Sequence, residues 1–260
     1  MDGDEANLEY ASEVFEAALN RIDTERQQTE AEIESFRSFE TDVEATSTAA
    51  SRQRQPVAGT IRTADCDGLQ KVRTAYRDTV MAVSHYETEY GDTCIESLRA
   101  EFGVEIAAAL AGGEAFDACL KRMLLSKITE AIRERRGLLS ALERERGSLV
   151  DTRDRVTDIS AEIDTLSPGT AEKRSFGALD AYRSRLAVLR DQCETLAETR
   201  QETLADHRRR MALGSDGPDV QEYLYRDFEA SYPVLSVLAS LSGCIIELKT
   251  TVERAMCHAN

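Results

Sequence analysis

Residues 8–43, LEYASEVFEAALNRIDTERQQTEAEIESFRSFETDV, carry the strongest architectural signal of the chain, because one stripe of mostly apolar residues recurs along them every seven residues. A spacing of seven keeps the stripe on one face of a long helix, and so narrow a stripe needs a partner helix to cover it. No glycine or proline interrupts residues 4–46, so the sequence predicts one helix over that range. The stripe consists of Leu8, Phe15, Ile22, Thr29, Phe36 and Val43.

Two further long stretches carry apolar residues at helical spacing. The first covers 114–166 and the second covers 176–211, and the segment 167–170 (SPGT) forces a turn between them. A short turn between two long helices makes them antiparallel neighbours, so we predict a helical hairpin over residues 112–213. Strand-like alternation persists nowhere in the sequence. The predicted fold class is all-α: an elongated antiparallel bundle or coiled-coil hairpin with a compact helical head.

Shorter helices complete the predicted organisation. An acidic helix over 1–47 is followed by a loop-like linker over 48–68 and a central helical block over 69–111. Within that block a helix ends near Ser84, and Thr93 with Glu96 forms a capping box for one helix that runs to Gly112-Gly113. Residues 218–260 are predicted to form C-terminal helices that pack on the central block as the head.

The charge balance is strongly acidic. Asp and Glu number 48 against 32 Lys and Arg, which gives a net charge of −16. A large negative surface stays hydrated in concentrated salt, so the balance is typical of a salt-rich cytoplasm; the alternative is an acidic partner-binding surface in a low-salt organism. Residues 1–47 hold 14 acidic residues and three arginines, whereas 121–155 hold ten basic and six acidic residues. This complementarity predicts that the first long helix lies beside the second.

Cellular location follows from the two ends of the chain. The opening residues MDGDEANLEY show neither the basic nor the apolar part of a secretory signal, so a cytoplasmic protein is expected. The most apolar run, 233–246, is too short to span a bilayer and is expected to form a buried core helix, without membrane contact. Six scattered cysteines without companion histidines predict core residues, and no metal or cofactor is expected.

The segment 76–92, YRDTVMAVSHYETEYGD, holds the densest cluster of chemically distinctive residues. His85 and Glu89 are four residues apart, so on a helix they share a face and have the spacing of two metal ligands or an acid–base pair. The alternative, which we favour, is that the tyrosines and the histidine pack a helix corner with their polar tips hydrogen-bonded.

This segment, followed by Ser97-Leu98 and by AEFG at 100–103, resembles the central signature of a haloarchaeal all-helical family of unknown function. The resemblance is specific over Tyr76–Gly103. It implies an all-helical fold and a halophilic cytoplasm. It implies no activity and no catalytic residue.

Basic residues on the second long helix raise a nucleic-acid hypothesis. They are interleaved with acidic residues, and phosphate binding weakens steeply in high salt, so nucleic acid is not the favoured partner. Gly112-Gly113 lacks the strand, spacing and lysine of a phosphate loop, and no hydrolase, zinc-protease or kinase motif is present. The basic residues concerned are Arg133, Arg135, Arg136, Arg144, Arg146, Arg153 and Arg155, with Arg208–Arg210 on the third long helix.

The sequence therefore predicts a non-enzymatic interaction or scaffold protein that uses a coiled-coil surface to bind itself or another helical protein. One alternative is a DNA-associated regulatory protein using the Arg-rich helix, and another is an enzyme using the corner of His85, Tyr86 and Glu89. No catalytic, cofactor or metal residue is assigned. The candidate interaction residues are Leu8, Phe15, Ile22, Phe36, Val43, Tyr76, His85, Tyr86, Glu89 and Tyr90.

Overall fold

The computed structural model describes residues 2–49, 67–113, 115–166, 175–212 and 220–259. Helices and one short 3-10 turn, Val80–Ala82, are the regular elements of these ranges, which contain no strand. The predicted all-α class is confirmed. The helices are α1 (Asp2–Ala45), α2 (Asp67–Asp78), α3 (Tyr86–Glu89), α4 (Cys94–Phe102), α5 (Val104–Gly112), α6 (Ala118–Leu166), α7 (Phe176–Ala212), α8 (Val220–Tyr225) and α9 (Pro233–His258).

The chain divides into two compact units. The first, called the central unit here, comprises residues 25–140, and the second, called the terminal unit, comprises residues 1–24 together with 141–260. The long helices α1 and α6 each contribute residues to both units. The predicted division grouped 69–111 with 218–260, whereas the structure assigns these two segments to different units.

The central unit has an apolar core in which aromatic rings meet. Phe39 stacks on Phe102 at a centroid distance of 6.1 Å and meets the edge of Tyr76 at 5.2 Å. Phe36 adds an edge contact to Phe102 at 6.3 Å. Further core residues at helical spacing come from α2, α4, α5 and α6, among them Leu69, Val72, Leu98, Ile106, Leu110, Leu124, Ile128 and Ile132.

The pairing of α1 with α6 agrees with the predicted charge complementarity. In the central unit, Lys121 Nζ donates to the carbonyl oxygens of Glu44 and Thr46 at 2.7 and 2.8 Å. In the same unit Arg135, which follows Lys121 on α6, donates to Glu32, which precedes Glu44 on α1. The two helices therefore run antiparallel there. In the terminal unit, Arg146 Nε donates to Asp23 Oδ1 at 3.1 Å.

The terminal unit is also built from helices that bury one face. On α9 the buried side chains follow a three-four spacing, and α9 packs along α7. Further core side chains of this unit come from α1, α6, α7 and α8, among them Phe15, Ala18, Ile22, Leu142, Leu149, Val156, Ile159, Ile163, Leu179, Leu186, Leu189, Cys193 and Leu224.

One helix was predicted to run from Thr93 to Gly112. That prediction is wrong in one respect, because the helix is interrupted at Gly103. That residue has φ +88°, a conformation that L side chains rarely adopt. A Cβ added there would contact nothing within 4 Å, so backbone conformation rather than space calls for glycine. The predicted capping box is confirmed, since Thr93 and Glu96 form both of its hydrogen bonds. Most of the predicted linker 48–68 and the predicted turn 167–170 lie outside the described residues.

Candidate functional site

The distinctive segment 76–92 forms a compact corner rather than a continuous helix. The α2 helix ends at Asp78, two residues before the 3-10 turn, and α3 begins at Tyr86. The predicted helix end near Ser84 is therefore too late. His85 occupies the position before α3, and the corner belongs to the central unit.

The side chains of His85 and Glu89 have separate partners. His85 Nε2 is hydrogen-bonded to Glu32 Oε1 at 3.0 Å, whereas Glu89 Oε1 accepts from Gln28 Nε2 at 3.5 Å. Only the backbones of the two residues are in contact: the Glu89 N–H donates to the His85 carbonyl oxygen at 2.9 Å. The acid–base geometry considered from spacing alone is not formed, and the carboxylate that meets His85 comes from α1 instead.

Five side chains, called here the Glu32 cluster, join α1, α4, α6 and the corner. Arg135 Nε donates to Glu32 Oε2 at 2.7 Å. Two further N–H groups of Arg135 donate to the Glu101 carboxylate at 2.7 and 3.2 Å, and the guanidinium lies 4.3 Å from the centroid of the Phe36 ring. Tyr90 Oη donates to Glu32 Oε1 at 3.0 Å. The cluster consists of Glu32, His85, Tyr90, Glu101 and Arg135.

Electrostatics in the Glu32 cluster favour the ionised carboxylate. Burial by itself raises the pKa of Glu32, but the charge of Arg135 and the hydrogen bonds from His85, Arg135 and Tyr90 outweigh it and hold that pKa below the ordinary value. Burial raises the pKa of Tyr90, and the neighbouring Glu32 carboxylate adds to the rise. A guanidinium with two carboxylates and a neutral phenol is a stable ion-pair network, so the arrangement favours a structural role over proton transfer.

A depressed pKa predicts how stability depends on pH. Because folding lowers the pKa of Glu32, its contribution is fully present at neutral pH and is lost as the pH falls below the ordinary glutamate value of 4.5. We expect the free energy of unfolding of the native chain to fall more steeply with acid than that of Glu32→Gln. Urea unfolding at several pH values between neutral and mildly acidic measures both slopes. Identical slopes for the two proteins would contradict the assignment.

Two tyrosines of the corner are buried, as the packing interpretation predicts. Tyr76 is fully buried, and its Oη lies 2.7 Å from Ser97 Oγ. Burial raises the pKa of Tyr76 well above its ordinary value, so the hydroxyl stays protonated. Tyr86 is buried too, and its ring lies 5.4 Å from that of Tyr90, which remains exposed. A tyrosine has an apolar ring and a polar hydroxyl, so tyrosines can pack together where the edge of a core meets solvent.

Four residues of the α1 stripe proposed for partner binding lie inside the chain's own core. Phe15 and Ile22 are buried in the terminal unit, and Phe36 and Val43 in the central unit. These are core residues in the structure rather than surface residues, because other helices of the same chain cover them. The side chain of Leu8 lies outside the described residues.

A second buried charge cluster lies in the terminal unit. The Glu145 side chain is 0% exposed and that of Arg200 is 3% exposed, and they form a bidentate pair between α6 and α7. Tyr225 Oη donates to Glu145 Oε1 at 2.6 Å, and Arg200 donates to Gln221 Oε1 at 3.2 Å. The pair therefore holds α8 against α6 and α7. Sequence reasoning missed both charge clusters, since it assigned Arg135 to a basic surface and left Arg200 unexamined.

The outward face of α9 carries a regular row of uncharged residues. Opposite its buried face run Ser236, Ala239, Gly243, Ile246 and Thr250, again with a three-four spacing. Ile246 is 50% exposed, and a Cβ added at Gly243 would contact nothing within 4 Å. This row of five residues is called the α9 stripe below. No charged residue occurs between Pro233 and Ile246.

By length and composition, α9 is the one described helix that could cross a membrane, and 33% of its most apolar window is buried. The run 233–246 was expected to be too short to span a bilayer. That length argument applies only to the fourteen-residue run, because the helix itself continues to His258. Among the described residues, no group of three or more His, Cys, Asp or Glu side chains is placed to hold a metal ion.

A family model described as a domain of unknown function (DUF7260) matches residues 13–249. The match covers both units of the chain. No curated protein and no solved structure matches.

Proposed function

The chain belongs to the DUF7260 family, and we propose that it is a non-enzymatic helical interaction protein that pairs with a second copy of itself through the α9 stripe. The observation that carries this proposal is an uncharged, three-four spaced face on a helix whose opposite face is already buried. A helix normally needs one such face to join its own bundle. A second uncharged face on the same helix is typical of a helix that also contacts a partner protein.

Charge restricts where two copies of the chain can meet. The chain carries a net charge of −16, so two copies repel each other over most of their surfaces. Four of the five residues of the α9 stripe lie in the stretch 233–246, which has no charged residue, and interface cores are depleted of charge for the same physical reason. A two-fold pairing uses the same patch on both copies, which lets one neutral stripe serve both sides of the contact.

The distribution of residues along α9 favours an antiparallel pairing. The charged residues Glu247, Lys249, Glu253 and Arg254 all lie in the C-terminal half of the helix. A parallel pair would place each glutamate beside its own copy, whereas an antiparallel pair centred on Gly243 places it beside the uncharged N-terminal half. The small residues Ala239 and Gly243 allow the two backbones to approach closely, with Ile246 packing over them.

Light scattering after size exclusion in multimolar KCl tests the proposal. We expect a mass near twice the 28.9 kDa of one chain. Ala239→Glu places a carboxylate in the contact of each copy and should weaken dimerisation by about 100-fold or more, equivalent to about 2.7 kcal/mol. The matched control is Ala161→Glu, which makes the same change at an exposed position of α6 in the same unit.

A monomeric native chain would overturn the proposal, as would an Ala239→Glu variant that remains dimeric. Loss of the dimer in both variants would mean that added charge, rather than the α9 stripe, controls association. Flotation of the native chain with lipid vesicles, lost in Ala239→Glu, would instead identify α9 as a membrane contact.

The nucleic-acid alternative receives less support from the side chains. Arg135 is engaged by Glu32 and Glu101, Arg146 by Asp23, and Arg153 by Asp154. Cations already neutralised by carboxylates gain less from phosphate. The enzyme alternative loses its acid–base pair, since Glu89 is bonded to Gln28. A salt-rich archaeal cytoplasm, in which an acidic chain stays hydrated, remains part of the proposal.

A further inference from the structure

One face of α2 lines an open cavity of about 240 Å³ in the central unit. Its polar wall consists of four α2 side chains three or four residues apart, Gln70, Arg73, Thr74 and Arg77. Ile95 of α4 and Ala111 of α5 supply the apolar wall. From this geometry we propose that the cavity binds a small phosphate monoester, with the phosphate on the two guanidinium groups and the organic part on the apolar wall. The proposal is independent of the α9 stripe.

The end of α5 fixes the guanidinium of Arg73. Arg73 Nη1 donates to the carbonyl oxygens of Leu110 and Ala111 at 2.8 and 3.0 Å. A guanidinium has five N–H donors, so the three on Nη2 and Nε are left for a ligand. A donor that is already held in place loses little conformational entropy when a ligand binds. Arg73 is therefore a preorganised anion ligand.

The charge of the wall selects an anion. Arg73 and Arg77 both line the cavity, and no carboxylate of the described residues does, although the chain as a whole carries a net charge of −16. The carbonyl end of α5 is partly negative, but Arg73 offsets it, so Arg77 leaves the cavity with a net positive charge. Arg77 is exposed and forms no ion pair with a described residue, which leaves its guanidinium available to a ligand.

The donors select a phosphate ester over a carboxylate. A phosphate monoester carries a charge of about −1.5 to −2 at pH 7, which two guanidinium groups balance, and it offers three acceptor oxygens. Guanidinium groups bind such oxygens in pairs, and the Thr74 hydroxyl and Gln70 amide are further donors on the same wall. Ile95 is 40% exposed, so an organic group that covers it removes apolar surface from water. Salt does not screen that contact, so it persists in a salt-rich cytoplasm.

Calorimetric titration with phenyl phosphate in multimolar KCl tests the site. We expect saturable binding of one ligand per chain. Benzenesulfonate keeps the ring but carries a single charge, and inorganic phosphate keeps the charge but lacks the ring. Each of these two anions should bind at least about tenfold more weakly than phenyl phosphate, because each lacks one of the two contributions.

Two variants locate the binding. Arg77→Gln removes the charge of an exposed side chain, so it should fold normally and bind phenyl phosphate at least about tenfold more weakly than the native chain. Thr74→Val keeps the shape of the side chain and removes its hydroxyl, so it should weaken binding to a smaller extent. The matched control is Arg122→Gln, which makes the first change at an exposed position of α6 in the same unit and should bind like the native chain.

Equal affinity for phenyl phosphate and benzenesulfonate would overturn the proposal, and so would undiminished binding in Arg77→Gln. Inorganic phosphate that binds as tightly as phenyl phosphate would overturn it too, since the apolar wall would then contribute nothing. Tighter binding of a phosphoserine peptide than of phenyl phosphate would replace the small ester by a phosphorylated protein as the ligand.

Discussion

Arg200→Leu is expected to lower the free energy of unfolding by about 3–5 kcal/mol, because it leaves the Glu145 carboxylate buried without its counter-charge. Glu145 is fully buried, and Arg200 supplies two of its hydrogen bonds. Burial raises the pKa of Glu145, and the hydrogen bonds and charge of Arg200 reverse that effect and hold the pKa below its ordinary value. Without the guanidinium, the buried carboxylate keeps only the hydrogen bonds of Tyr225 and Gln221. Urea unfolding at neutral pH measures the loss.

The chain offers a matched control for Arg200→Leu. Arg185 lies on the same helix and pairs with Glu162 on α6, but its side chain is 45% exposed and that of Glu162 is 31% exposed. Arg185→Leu is expected to lower the free energy of unfolding far less than Arg200→Leu, because water and salt screen an exposed pair. Similar losses in the two variants would contradict the distinction. The double variant Glu145→Leu/Arg200→Leu should recover much of the stability, since neither charge then remains buried.

Phe39→Ala is expected to cost about 3–5 kcal/mol through the cavity that it opens in the core of the central unit. Phe39 is fully buried and contacts the rings of Tyr76 and Phe102, which themselves meet at 5.8 Å. Deleting the ring removes its own burial and leaves two aromatic neighbours facing a void. The measurement is the urea midpoint, with the slope of the transition checked for constancy.

Phe176→Ala is the control for aromatic deletion. Phe176 begins α7 and is 54% exposed, so its removal should change stability by less than about 0.5 kcal/mol. Phe39→Leu keeps an apolar side chain at the core position, and its cost should fall between those of the two alanine variants. A small effect of Phe39→Ala would mean that the aromatic cluster is not tightly packed.

Much of the helical architecture could be predicted from residue patterns. The α1 helix was predicted over 4–46 and is observed over 2–45, and α9 begins at Pro233 as predicted. Seven-residue spacing and the absence of glycine and proline are local properties, and local properties decide where a helix forms. The break at Gly103 was missed because its signal is one glycine within an otherwise regular apolar pattern, and only the observed φ of +88° shows how it is used.

Which residues meet in the Glu32 cluster could not be predicted from the sequence. Glu32 and His85 are separated by 53 residues, and Glu32 and Arg135 by 103. Each residue type occurs many times in this charged chain, so spacing alone cannot select the pairs. His85 was correctly identified as a notable residue, but its partner was expected on the same helix and is found on α1.

Residue patterns and composition are enough to establish that this chain is all-α, where most of its helices lie, and that it is strongly acidic. These properties follow from composition and from patterns repeated within one segment. Contacts between distant residues, by contrast, cover the α1 stripe from Phe15 to Val43 with the chain's own helices, and they pair the partly buried Arg135 and the buried Arg200 with carboxylates. A periodic pattern specifies that a helix face must be covered, but which side chains cover it depends on contacts between residues far apart in the chain.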